Sequence, residues 1–132
     1  MLAWDRKEKS RIVYENSDYV VLCPFASRVA FEMRVYPKKH EPYFEESDTA
    51  HIAALTDAFL AAMKKLHKAL GDPDYNYFLH TAPPDHGSYG HYHWHWEILP
   101  KTAIWAGYEL GTEIEISTSP ERAAEFLRKQ KV

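Results

Sequence analysis

The 132-residue sequence contains a single cysteine, Cys23, only five glycines, and no long run of hydrophobic residues. A single cysteine excludes an intramolecular disulfide and the cysteine pairs of zinc knuckles and ribbons. The missing apolar run excludes a membrane-spanning helix and the core of a secretory signal peptide. We therefore expect a soluble, cytoplasmic protein with no membrane partner.

Positive charge is also scarce, because 16 Lys and Arg oppose 19 Asp and Glu and leave a formal net charge of −3. The basic residues are scattered, which does not indicate a nucleic-acid partner. The chain is 45% hydrophobic and 14% aromatic, enough for a packed core at a length that fits one domain. We expect residues 1–132 to form that single domain.

Alternating apolar and polar residues predict strands in five segments, which read RIVYENSDYVVLCPF (two runs around a turn), VAFEMRVYP, YNYFLHTA, HYHWHWEIL and GTEIEIS. Apolar residues recur at three- and four-residue intervals between Asp48 and Leu70, which predicts an amphipathic helix ended by Gly71. Ser119 and Pro120 are typical of a helix start. The order favours an α+β fold: an antiparallel sheet with one long helix and one short C-terminal helix.

Histidines are concentrated in the predicted strand HYHWHWEIL. Alternation places His91, His93, His95 and Glu97 on one face, while the aromatic residues between them face the core. His80 lies on the preceding strand, across the loop 83–90. This spacing suggests a site on one face of the sheet.

A hairpin centred on that loop predicts three opposed pairs, namely His80 with His93, Phe78 with His95, and Asn76 with Glu97. Such a register would bring His80, His93 and His95 together and leave His91 nearer to the loop. Neutral imidazoles could then attack phosphorus, or three of them could bind a divalent metal. A solvated sheet face without a site is the third interpretation, and the spacing alone does not choose among them.

Several segments, in this order along the chain, resemble the histidine-triad (HIT-like) superfamily: YPKKH, LHTAP, HWHWEILP, AGYELGTEIEIS and SPERAAEFLRK. Within it they resemble the C-terminal half of galactose-1-phosphate uridylyltransferase. The resemblance implies a HIT-like fold and a nucleotidyltransferase-type domain, active in galactose metabolism, that acts on or binds a nucleotide sugar or hexose 1-phosphate. It implies no organic cofactor. A non-catalytic metal- and sugar-phosphate-binding module and a HIT-type nucleotide phosphoramidate hydrolase stay open as alternatives.

The resemblance leaves two candidates for the catalytic nucleophile. The family's nucleophile lies in a His-Pro-His-x-Gln motif of its N-terminal half, which this sequence lacks. By the internal likeness of the family's two halves, His95 occupies the position of that nucleophile. Counted as a simple triad of His91, His93 and His95, the middle residue His93 does. Pro100 follows Glu97 by three residues, the spacing that triad proteins show after their third histidine, and this favours His95.

The resemblance also implies a metal and a sugar site. Some relatives bind a structural metal, zinc or iron, with histidines that match His80, His93 and His95. Tyr108 and Glu109 resemble the pair that binds the sugar, often across a dimer interface, so a homodimer is expected. The other candidate substrate-binding residues are Asn76, His91, Glu97, Lys101 and Glu115.

Overall fold

The computed structural model describes residues 2–85, 87–104, 107–112, 114 and 117–132, and it confirms the α+β fold class. One antiparallel sheet contains β1 (Ile12–Glu15), β2 (Tyr19–Leu22), β3 (Met33–Pro37), β4 (Tyr75–His80) and β5 (His95–Pro100), in the order β1-β2-β3-β5-β4. The helices are α1 (Leu2–Glu8), α2 (Ile52–Leu70), α3 (Gly107–Thr112) and α4 (Pro120–Arg128). Among the residues described, none of the helices combines the length and apolarity needed to cross a membrane.

The first two strands form the predicted hairpin. The side-chain Oδ1 of Asn16 accepts hydrogen bonds from the backbone N–H groups of Asp18 (3.1 Å) and Tyr19 (2.9 Å), which closes the turn. The third strand is shorter than its alternation predicts. Phe31 has a φ of 62°, outside the β region, so the strand starts only at Met33.

Helix α2 ends at Leu70 as predicted but begins at Ile52, four residues after the predicted start at Asp48, and local signals set both of its ends. Asp48 accepts a hydrogen bond from the N–H of Ala50 and caps a 3-10 turn, Thr49–His51, that leads into the helix. Gly71 ends it in the left-handed conformation. The buried face of α2 packs with α4 against one face of the sheet, in a core that includes Val21, Met33, Val35, Ala62, Leu66, Ile98 and Leu127.

Lys65 joins α2 to the end of α4. Its Nζ donates hydrogen bonds to the carbonyls of Leu127 (3.5 Å), Arg128 (3.4 Å) and Gln130 (2.6 Å), and the residue is only 8% exposed. These carbonyls lie where a helix end leaves its acceptors without partners. We predict that Lys65→Met lowers the free energy of unfolding by about 1–3 kcal/mol, because buried acceptors lose their donor. Urea unfolding measures this change, and the exposed Lys64→Met is the control; equal losses in both variants would contradict the role.

The opposite face of the sheet carries the residues of interest. Alternation along β3, β4 and β5 places Arg34, Tyr36, His80, His95 and Glu97 on this side, which we call the histidine face. Leu22 and Tyr36 belong to a second, smaller hydrophobic cluster, against which Leu2 of α1 packs.

The register of the β4–β5 hairpin was predicted wrongly by two residues. The observed pairs are His80 with His95, Phe78 with Glu97, and Asn76 with Leu99. A two-residue shift leaves every side chain on its predicted face but changes its partner across the hairpin. The prediction that His80 lies opposite His93 is therefore wrong.

The loop that follows β3 causes this shift. The N–H of Ala82 donates to the carbonyl of Pro42 (3.0 Å), and the N–H of Trp94 donates to the carbonyl of Glu41 (3.0 Å). The N–H groups of residues 82 and 94 thus bond to the loop, and these two residues do not pair with one another across the hairpin. The hairpin ends at the pair of His80 and His95, and His91 and His93 precede β5.

Two further differences concern short segments. The sequence does not predict α1, and the first residues of the predicted strand GTEIEIS, Gly111 and Thr112, end helix α3 instead. Helices of this length carry too few turns to show a hydrophobic period. Glu113, Glu115 and Ile116 of that predicted strand lie outside the described residues.

Candidate functional site

A cleft on the histidine face contains three of the predicted site residues. His91, His93 and His95 line a cavity of about 550 Å³ together with Tyr36 and His40. Residues Leu2, Ala3 and Asp5 of α1 line it as well. The volume lies in the range that small-molecule sites occupy.

The backbone fixes the tautomer of His95. Its Nδ1 lies 3.1 Å from the carbonyl oxygen of His93, and because a carbonyl only accepts, Nδ1 must carry the proton and donate it. Nε2 then keeps its lone pair. Burial lowers the pKa of His95 to about 4, with the positive charge of Arg34 acting in the same direction. At neutral pH His95 is thus an uncharged imidazole with a free Nε2, the form that attacks phosphorus.

His93 is held in a different way. Its Nε2 donates to the carbonyl of Pro37 at 2.9 Å, which ties the ring to the end of β3. Burial also lowers the pKa of His93. The ring packs edge-on against Tyr36 (centroids 5.5 Å apart) and against His40 (4.9 Å). Because its Nε2 is engaged with the backbone, His93 is less suited than His95 to nucleophilic attack.

The ring of His95 lies between two other rings. Strand β5 is flanked by β3 and β4, so Tyr36 and His80 approach His95 from opposite sides. Tyr36 stacks on it at 4.7 Å between centroids with an interplanar angle of 28°, and His80 stacks at 4.9 Å and 15°. Both faces of this imidazole are covered.

A buried network of charged groups lies next to the stack. Glu97 is 2% exposed; its Oε2 accepts from His80 Nε2 (2.9 Å) and Arg28 Nη2 (2.8 Å), and its Oε1 accepts from Arg34 Nη2 (2.8 Å). Arg34 also donates through Nε and Nη2 to Oε1 of Glu32 (3.0 and 2.8 Å), which is fully buried. Paired and hydrogen-bonded, these charges can remain in the interior.

The pKa values of the two carboxyl groups in this network are shifted in opposite directions. Burial raises the pKa of Glu32, and its hydrogen bond with Glu97 raises it further. Burial alone would raise the pKa of Glu97 too, but hydrogen bonds from Glu32 and His80 lower it below its ordinary value. Glu97 is therefore the more acidic member of the pair, and it faces both arginines.

The imidazoles in this arrangement do not fit the metal that the resemblance implies. A metal lies on the in-plane lone pair of each histidine nitrogen, about 2.0–2.1 Å away for zinc. The rings of His80 and His95 are within 15° of parallel, so their in-plane lone pairs do not converge. Nε2 of His93 is engaged with Pro37. In the part of the chain that the structure describes, no group of three or more His, Cys, Asp or Glu side chains is placed to hold a metal.

Two other predicted substrate-binding residues lie farther along the sheet. Asn76 and Lys101 line a second cavity of about 430 Å³ with Arg28. This cavity begins at Leu99, which is four residues beyond His95 and hence about 13 Å along the strand. Tyr108 and Glu109 lie in the first turn of α3, His91 is exposed, and Glu115 lies outside the described residues.

Four residues of this region carried no predicted role: Arg28, Glu32, Arg34 and Tyr36. Glu32 and Arg34 occupy the polar positions of an alternating strand, which usually face solvent. Opposite charges two residues apart on one strand face could have indicated an ion pair, since such side chains are neighbours. Their contact with Glu97 could not be predicted without the order of the strands.

Known proteins resemble this chain over most of its length. ADP-glucose phosphorylase from Arabidopsis thaliana is 31% identical over 128 residues, which cover 95% of this chain and 36% of that protein. Galactose-1-phosphate uridylyltransferase from Thermotoga maritima is 29% identical over 137 residues, 94% of this chain and 42% of that protein. The chain thus spans about two fifths of the length of these relatives. No protein-family profile matches it.

Solved structures agree with the sequence relatives. The crystal structure of the ADP-glucose phosphorylase from Arabidopsis thaliana with bound ADP-glucose superposes with a TM-score of 0.87 at 28% identity, over 98% of this chain and 44% of that one. A HIT-like protein from Bartonella henselae gives a TM-score of 0.66 at 21% identity, over 95% of this chain and 90% of that one. The second match shows the fold alone. Together they confirm the resemblance found in the sequence.

Proposed function

The chain is a relative of ADP-glucose phosphorylases and galactose-1-phosphate uridylyltransferases with a HIT-like fold, and we propose that it is a nucleotidyltransferase-type domain that acts on a nucleotide sugar through His95. One observation carries the proposal: Nε2 of an uncharged His95 keeps its lone pair in a ligand-sized cleft, because Nδ1 donates to the carbonyl of His93.

The proposed step is a substitution at phosphorus. Nε2 of His95 attacks the α-phosphorus of a nucleoside diphosphate sugar, forming an N–P bond. The bond from that phosphorus to the bridging oxygen breaks, and the sugar 1-phosphate leaves with the electron pair. The ring becomes positively charged during the attack, and the carbonyl of His93, which accepts from Nδ1, stabilises that charge.

The two cavities suit the two ends of such a substrate. We place the nucleotide in the histidine cleft, beside His91, and the sugar phosphate toward the second cavity, where Asn76 and Lys101 offer polar contacts. Glu97 lies between them. Tyr108, Glu109 and Glu115 remain proposed sugar contacts on the resemblance alone.

A non-catalytic sugar-phosphate-binding module is the second candidate. The chain matches only between 36% and 44% of the length of these relatives, and this favours the second candidate. A catalytic site can require residues from the part of a relative that the chain does not match. A HIT-type hydrolase would use the same His95 and pass the nucleotidyl group to water.

Incubation of the protein with ADP-glucose, and separately with UDP-glucose, tests the proposal. Intact-mass spectrometry at alkaline pH should show a mass increase of one nucleoside monophosphate, and an equimolar amount of glucose 1-phosphate should appear in solution. Binding without an adduct would favour the non-catalytic module. The absence of binding and of adduct with both nucleotide sugars would overturn the proposal.

The acidity of His95 predicts an unusual pH profile for adduct formation. The nucleophile is the uncharged ring, and burial lowers its pKa to about 4. The adduct-forming rate should therefore hold as the pH falls from 7 to about 5 and drop only near pH 4. A rate that halves near pH 6.5, the value of an ordinary histidine, would contradict the described environment of this ring.

Three other features stay proposals. A divalent metal at His80, His93 and His95 requires these rings to rotate, and elemental analysis of purified protein tests it; substoichiometric metal would count against it.

The homodimer is tested by sedimentation at high micromolar concentration, where a monomer would refute it. Fractionation of cells would test the cytoplasmic location, which recovery outside the cytoplasm would refute.

A further inference from the structure

We propose that His80 and Glu97 are positioning residues, which hold the imidazole of His95 in one orientation with Nε2 toward the ligand; the inference rests on the proposed role of His95. Tyr36 completes the arrangement from the other side. A chain of contacts runs from the buried arginine network, through Glu97 and His80, to the face of His95.

The covering rings restrict the movement of His95. Its hydrogen bond from Nδ1 to the carbonyl of His93 fixes one edge of the ring, but a single bond still permits the ring to tilt and flip. Tyr36 at 4.7 Å and His80 at 4.9 Å cover its two faces from the neighbouring strands. A flip would have to displace one of these rings.

The ring of His80 must itself be held in place if it is to restrict His95. Its side chain is 41% exposed and belongs to the edge strand β4, so packing alone leaves its ring considerable freedom. The hydrogen bond from Nε2 to Oε2 of Glu97, at 2.9 Å, supplies the anchor. Phe78, not His80, stands directly opposite Glu97, so this contact is diagonal across the two strands and turns the ring of His80 along the sheet.

Glu97 is itself held on both of its oxygens. Arg28 donates to Oε2 and Arg34 to Oε1, each at 2.8 Å, and Arg34 is fixed in turn by Glu32. The carboxylate has little freedom to follow a moving His80. Removal of the outer groups that orient metal-binding histidines typically costs about 10- to 100-fold in metal affinity or activity, and we expect an effect of the same size for His95.

The experiment compares His80→Ala with His80→Phe. Alanine removes both the ring and the hydrogen bond, whereas phenylalanine keeps an aromatic face against His95 but cannot bond to Glu97. NMR of protein labelled with ¹⁵N in histidine reports the tautomer of His95, and mass spectrometry follows adduct formation with the better nucleotide sugar. Glu97→Gln can keep the acceptor oxygen for His80 and Arg28 while its amide N–H groups face Arg34, and it serves as the conservative variant.

We expect His80→Ala to lower the adduct-forming rate by about 10- to 100-fold and to raise the share of the other His95 tautomer, because the ring can now flip. His80→Phe should lie between this variant and the wild type, and Glu97→Gln should stay closest to the wild type. The tautomer ratio of His95 separates positioning from stability, because a general loss of stability would not change it. The His80→Phe and Glu97→Gln variants keep this comparison available if His80→Ala does not fold.

An unchanged His95 tautomer in His80→Ala, with a rate within about twofold of the wild type, would overturn the positioning role. Equal losses of rate in all three variants would also overturn the positioning role, because the aromatic ring in His80→Phe and the acceptor oxygen in Glu97→Gln would then have preserved no activity. Failure of the proposed function would show differently. The wild type would form no adduct, while the NMR comparison would still decide whether His80 orients His95.

Discussion

Replacement of His95 by asparagine should reduce formation of the nucleotidyl adduct by at least about 1000-fold, because the variant loses the only atom that forms the bond to phosphorus. Asparagine keeps a polar side chain of moderate size between Tyr36 and His80, so the sheet should fold normally. Quenched-flow sampling followed by mass spectrometry measures the rate, and circular dichroism checks the fold.

Two neighbouring histidines provide matched controls for this variant. His91→Asn should cost less than about tenfold in rate, since His91 is an exposed residue of the cleft wall that can contact the nucleotide but does not form the bond to phosphorus. His93→Asn should cost less than about tenfold, because the carbonyl that binds His95 belongs to the backbone and survives the change. A loss in His93→Asn as large as that in His95→Asn would contradict the choice of nucleophile.

Replacement of Arg34 by methionine should lower the free energy of unfolding by about 3–5 kcal/mol, the usual cost of removing one partner from a buried ion pair. Arg34 is the shared partner of Glu32 and Glu97, and both carboxyl groups are almost completely buried. Methionine fills much of the same volume but donates no hydrogen bond. Chemical unfolding with guanidinium chloride measures the change.

Arg28→Met is the control for that prediction. Arg28 also donates to Glu97, but its side chain is 41% exposed, so its loss should cost less than about 1 kcal/mol. Adding Glu32→Leu to Arg34→Met should recover part of the stability, because it removes the buried carboxyl that lost its partner. If Arg34→Met and Arg28→Met lowered the free energy of unfolding by similar amounts, the burial of the Arg34 ion pairs would not have the predicted effect on stability.

Local signals explain which parts of the fold could be predicted. The bounds of α2 follow from the Asp48 cap, the apolar period and Gly71, all of which lie within or beside the helix. The shared face of His95 and Glu97 follows from alternation alone. The resemblance of the motifs gave the fold class for the same reason, since each motif is a short continuous segment.

Contacts between distant segments explain what could not be predicted. The partner of His80 depends on the loop after β3, which takes the backbone hydrogen bonds of residues 82 and 94. Arg34 meets Glu97 only because β3 and β5 are neighbours in the sheet, although 63 residues separate them. The sequence therefore predicts that His95 belongs to the site, but not that Tyr36 and His80 cover its two faces.

Nε2 of His95 is the atom that we propose receives the nucleotidyl group. Protein labelled with ¹⁵N in histidine, incubated with ADP-glucose or UDP-glucose and kept at alkaline pH, allows the bond between phosphorus and nitrogen to be located by NMR coupling. The structure predicts one phosphorus atom coupled to Nε2 of His95. Phosphorus bonded to His93, phosphorus bonded to Nδ1 of His95, or no adduct with either nucleotide sugar would contradict it.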